Sequence, residues 1–74
     1  MTLRLRDLLA RYQCAGHVVF VRPRKMTVSL DGHRDITFDE AVLKLQAWEN
    51  SILDPIIDAR GCSRDTARVH AGLT

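Results

Sequence analysis

Residues 37–52, TFDEAVLKLQAWENSI, constrain the fold more than any other part of this chain. Thr37 with Glu40 three residues on is a capping box, in which hydroxyl and carboxylate satisfy the first free amides of a helix. Phe38, Ala41, Val42, Leu45, Trp48 and Ile52 then recur at helical spacing and form one apolar stripe. Glu40 and Lys44 stand one turn apart in the favourable order. Start signal, period and propensity agree, so a helix is predicted here. Leu43 and Ala47 fall on the opposite side of that helix, at about 100° per residue. They are either tolerated surface residues or a second contact face, used by the C-terminal segment or by another subunit.

The remaining elements must pack on that stripe. Residues 2–13 read as a first helix, with Leu5, Leu8, Leu9 and Tyr12 on one face and Leu3 pointing away. Asp7 and Arg11 can pair across a turn of it, and Gly16 is its stop. Residues 17–22, HVVFVR, read as a strand whose four consecutive apolar residues suit burial on both faces. Pro23 makes residues 22–25 a turn. Residues 26–30 alternate, placing Met26, Val28 and Leu30 on one side.

Asp31-Gly32 is a hairpin signal. A two-residue turn would set Ile36 opposite Thr27, on the polar side. A loop over residues 31–33 pairs Val28 with Ile36 and keeps both apolar, so the longer loop is expected, leading into a short strand over 34–36.

After the central helix, Asn50-Ser51 loosens the chain and Asp54-Pro55 reads as a new cap and first helical position. A short helix over 55–60 would end at Gly61. Ser63 would cap a last helix over 64–71, with the chain fraying from Gly72. The expected fold is therefore α+β, a small single domain over residues 1–74. Its order is helix, three-stranded antiparallel meander, long central helix and two short C-terminal helices (α-β-β-β-α-α-α), with the helices on one face of the sheet.

Seventy-four residues bury only about 60% of the unfolded surface, so self-association or a partner is expected, including a possible homodimer. With 46% hydrophobic and 27% charged residues the chain is too apolar for disorder. It has no long apolar run and no signal-peptide pattern, which points to a cytoplasmic protein without a membrane partner. The charge is split. Residues 1–34 hold seven cations against Asp7 and Asp31, a net +5, and residues 35–74 hold four against seven acids, a net −3. Such a division bears on partners.

Two cysteines, Cys14 and Cys62, are too few for a disulfide framework and read as small packing residues. Cys14-x-x-His17 and Cys62 with His70 read as two candidate metal-ligand pairs, but the second spacing is too long for a zinc knuckle and the sequence offers no close cluster. There is no nucleophile signature, phosphate-cradling glycine loop or HExxH pattern. No enzymatic activity, small-molecule substrate, metal or other cofactor is expected.

Gly61-Cys62-Ser63-Arg64-Asp65-Thr66-Ala67-Arg68 carries the one motif. It resembles the turn and recognition-helix start of bacterial helix-turn-helix transcription regulators, over residues 52–71. The resemblance implies that residues 52–59 form the first motif helix and that Gly61 makes the turn. It implies that Cys62 and Ala67 pack inward while Ser63, Arg64, Thr66 and Arg68 face duplex DNA. A capped helix presents its first-turn amides and side chains to phosphates and base edges, and Arg64 and Arg68 could fork onto guanine. Arg22, Arg24 and Lys25, on one turn with Arg34 nearby, would add phosphate contacts.

The other expectation is a protein-interaction module: an adaptor or inhibitor of a larger machine, of the size encoded by phages and mobile elements. The split charge, the patch at Leu43 and Ala47 and the absence of catalytic motifs support it.

Overall fold

The computed structural model describes residues 1–73. Its elements are α1 (Leu3–Cys14), β1 (Val19–Arg22), β2 (Thr27–Leu30), β3 (Ile36–Thr37), α2 (Phe38–Arg60) and α3 (Arg64–His70). The α+β class and the helix–meander–long helix order are as the sequence reads. No helix among the described residues is long and apolar enough to cross a membrane.

Thr2 caps α1, its hydroxyl accepting from the Leu5 amide at 3.3 Å. Leu5, Leu8 and Leu9 are buried and Leu3 points to solvent. The three strands form an antiparallel meander in the order β1-β2-β3. Val28 faces Ile36, the register of the longer loop, because a slip by one would have turned Ile36 out of the core. Leu5, Leu8 and Leu9 of α1, Val28 and Ile36 of the sheet, and Ala41 and Leu45 of α2 make one core cluster. Both helices therefore cover the same face of the sheet.

Several strand expectations change. β1 begins at Val19 and not at residue 17, and β3 is Ile36–Thr37 and not 34–36. β1 is covered on one face only: Val19 and Val21 pack on the core, while Val18 and Phe20 are each 65% exposed. An apolar run reports that a strand is greasy, not how many layers exist to cover it, and this chain has helix enough for one face. Met26 does not share the buried side of β2. It closes the turn with φ +53° and is exposed, its amide bonded to the Pro23 carbonyl at 3.2 Å.

Thr37 caps α2, accepting from the Glu40 amide at 3.2 Å. Residues 55–60 are helical as expected, but they continue α2 instead of starting a new helix. The 23-residue element runs through Pro55 to Gly61, whose φ of +64° ends it. Proline lacks the N–H that would bond the Ser51 carbonyl. The helix persists because Leu53 is fully buried and Ile52, Ile56 and Ile57 pack around it with Ala67 and Leu73, so tertiary burial outweighs the local break. This second cluster also holds the chain end: Leu73 is buried, its amide bonded to the Arg68 carbonyl at 2.9 Å. The expected fraying thus does not begin at Gly72, and Thr74 lies outside the described residues. Two clusters strung along one helix give an elongated body, 41 × 20 × 16 Å.

Candidate functional site

The fully buried line of α2 is Ala41, Leu45, Glu49 and Leu53, one residue per turn with a carboxylate in the middle. Glu49 is 0% exposed and sits where the two core clusters meet. Its Oε2 accepts from Arg11 of α1 at 3.1 Å and its Oε1 from Arg68 of α3 at 2.6 Å. Arg68 also donates to Asp65 at 2.7 Å. Burial, the largest influence on Glu49, would push its pKa up. The Arg68 hydrogen bond and the Arg11 and Arg68 charges together outweigh it and hold the carboxyl below the usual range. Hydrogen bonding to Glu49 raises Arg68 in turn. Arg11, expected to pair with Asp7, reaches across to another helix instead, because a buried carboxylate offers a far stronger site than an exposed one.

The residues assigned to DNA by the helix-turn-helix resemblance lie together on and before α3. Ser63 is the α3 cap, accepting from the Thr66 amide at 3.3 Å and donating to the Thr66 hydroxyl at 3.1 Å. Arg64 donates to Asn50 Oδ1 at 2.9 Å and lies 3.8 Å from Asp54. Arg68 is turned inward on Glu49. Arg22 ends β1, and Arg24 and Lys25 belong to the hairpin turn after it, in the other half of the molecule. Arg22 pairs with Asp35 at 2.8 Å and lies over the Phe20 ring at 5.4 Å, while Arg24 and Lys25 are exposed.

Leu43 is 72% exposed and Ala47 is exposed beside it. The C-terminal segment does not cover them. It packs instead on the side of α2 that carries Trp48, Ile52 and Leu53.

Asp31 is a second polar centre. It accepts from the Tyr12 hydroxyl at 2.5 Å and the Val18 amide at 3.0 Å and contacts His17 Nδ1 at 2.9 Å. The Tyr12 bond, then the Val18 amide, hold its carboxyl below the usual range. Burial and the same bond push Tyr12 up to about 12. The Tyr12 ring stacks on His17 at 4.1 Å and meets Trp48 edge-on at 4.9 Å. This cluster ties α1, the hairpin and α2 together. An open groove of about 440 Å³ beside it is lined by Tyr12, His33, Arg34, Lys44 and Trp48 among others. His17 is engaged by Asp31, and no three metal-ligating side chains converge among the described residues.

The remaining surface of note is the sheet face opposite the helices. Val18, Phe20 and Arg22 alternate along β1, with Ser29 and Thr27 beside them. The sequence reading missed this face and Glu49. Glu49 was findable, since it lies one turn from both Leu45 and Leu53. The bare sheet face had no such signal. No family model matches the chain, and neither the curated proteins nor the solved structures yield a match.

Proposed function

We propose that this protein is a non-enzymatic interaction module that binds a protein partner through apolar surface. The observation that carries this reading is the sheet face away from the helices, where Val18 and Phe20 stand 65% exposed although Ser29 beside them is buried against the His33 carbonyl. Leu43 and Ala47 on α2 provide a second, smaller patch. Exposed apolar clusters of this kind mark interaction sites more often than chance surface. The C-terminal arginines favour the same reading. Arg68 is tied to Glu49 and Asp65, and Arg64 to Asn50, so reading bases with them would first break internal bonds.

A nucleic-acid contact is the second reading, favoured by Arg24 and Lys25, which make no ion pair among the described residues. It places backbone phosphates on the hairpin turn, with Ser63, Arg64 and Thr66 as the base-contacting set. Light scattering at low salt, with and without a short duplex, separates the two. The interaction module shows no DNA-dependent rise in mass. A DNA reader binds with steep salt dependence, loses about 2 from its log–log salt slope when Arg24 and Lys25 become alanine, and loses sequence preference in Arg64→Ala.

A further inference from the structure

The edge of β1 is as unpartnered as its face. The Val18 amide donates to Asp31 Oδ1, and the Val18 carbonyl accepts from the Asp31 amide at 2.8 Å. Val18 therefore turns both backbone groups toward β2. Antiparallel strands alternate, so Phe20 and Arg22 do the same, opposite Ser29 and Thr27. Val19 and Val21 then point their N–H and C=O groups out of the sheet, and among the described residues neither makes a further backbone bond. Natural edges are usually blunted by lysine, proline or a bulge. This one has none within residues 19–22, and its proline comes only after Arg22.

We propose that a second copy of this chain adds to the sheet by pairing its β1 antiparallel with the first, about a two-fold axis at Phe20. The edge is complementary to itself in that register and in no neighbouring one. An axis at residue 20 sets Val19 opposite Val21 of the second copy, twice, and all four outward groups of each strand are satisfied. An axis at Val21 would set Val19 against Pro23, which has no N–H to give. An axis at Val19 would leave Val21 opposite His17, beyond the strand, where the amide is already bonded to the Tyr12 carbonyl.

The charges follow the same symmetry. The basic turn at Arg24 and Lys25 lies past one end of β1, and the Asp31 carboxylate lies at the other. The two-fold brings each turn of one copy to the Asp31 end of the second. On the bare face, Phe20 meets Phe20 of the second copy in the non-hydrogen-bonded position, where side chains approach most closely. On the helix side, a groove lined by Leu9, Ala10, Val19 and Val21, with the polar Arg6 and Gln13 also in its wall, runs along the edge and takes Val19 and Val21 of the second copy. The result is a six-stranded sheet with a continuous apolar strip. This deepens the interaction-module reading by naming one partner and rests on it, yet fails separately: a monomer that binds no DNA removes the dimer and leaves the module.

Sedimentation or light scattering across a concentration series tests the dimer, which should reach twice the 8.4 kDa chain mass. Val21→Pro deletes an outward N–H without touching the β2 ladder, and should weaken dimerisation at least tenfold while the circular dichroism of the fold is kept. If Val21→Pro does not fold, Phe20→Cys in a Cys14→Ser, Cys62→Ser background decides. Oxidation should link two copies through residue 20, and the same background with Leu43→Cys should not link. A wild-type monomer at every concentration overturns the proposal. So does a folded Val21→Pro dimer of undiminished affinity, or a disulfide at residue 43 and none at residue 20.

Discussion

Glu49 concentrates the electrostatics of the molecule in one side chain. Glu49→Ala leaves Arg11 and Arg68 largely withdrawn from water without their shared anion. Removing one member of a buried pair costs about 3–5 kcal/mol. Both arginines retain about a fifth of their exposure (20% and 21%), so the loss expected from urea denaturation at pH 7 is about 2–3 kcal/mol. Replacing Arg11, Glu49 and Arg68 together by leucine should be near neutral, because the desolvation cost disappears with the attraction. The folded-state pKa of Glu49 is depressed, so its contribution is complete above the unfolded value, about 4.3, and is lost as pH falls through the folded value. The urea midpoint of the wild type should drop below about pH 4.3, more steeply than that of Glu49→Gln. Equal acid sensitivity in the two would assign the titration elsewhere. This residue was half legible in the sequence. Its position on the α2 stripe follows from spacing, but its partners lie 38 residues before and 19 after it, and no local pattern pairs them.

At the scale of elements, Pro55 divides the readings of α2. Inside a helix, proline costs about 3 kcal/mol, partly offset by the freedom it removes from the unfolded chain. Pro55→Ala should therefore stabilise the protein by about 2 kcal/mol, read as a higher urea midpoint. At the first position of a separate helix, as Asp54-Pro55 reads locally, the same change would be close to neutral. The capping signals at Thr37 and Ser63 and the stop at Gly61 were fully legible, because each depends on one residue and its own backbone. The continuity of residues 38–60 was not. It depends on Leu53, Ile56 and Ile57 meeting Ala67 and Leu73, a contact made only once the chain has turned back at Gly61.

As a whole molecule, the protein is two small cores sharing one helix. The first holds α1, the sheet and the start of α2, and the second holds the end of α2 against α3. Neither is large, and Glu49 bolts them together through one arginine from each side. A chain ending at Arg60 should lose the second core and the Arg68 bond, leaving Leu53 uncovered and Trp48 more exposed. Its tryptophan emission should shift to the red and its unfolding should broaden. An unchanged emission maximum with a sharp transition would mean that the first core stands alone.

The sequence by itself determined the element types, the helix caps, the hairpin register and the apolar stripe of α2, because each follows from backbone sterics or from the period of side chains along one segment. Only the tertiary structure decided that α2 runs unbroken, that Arg68 turns inward to Glu49, and that β1 keeps one face and one edge bare. Those outcomes depend on which surfaces the packed elements have left over, a quantity that belongs to the assembled body and to no single stretch of it.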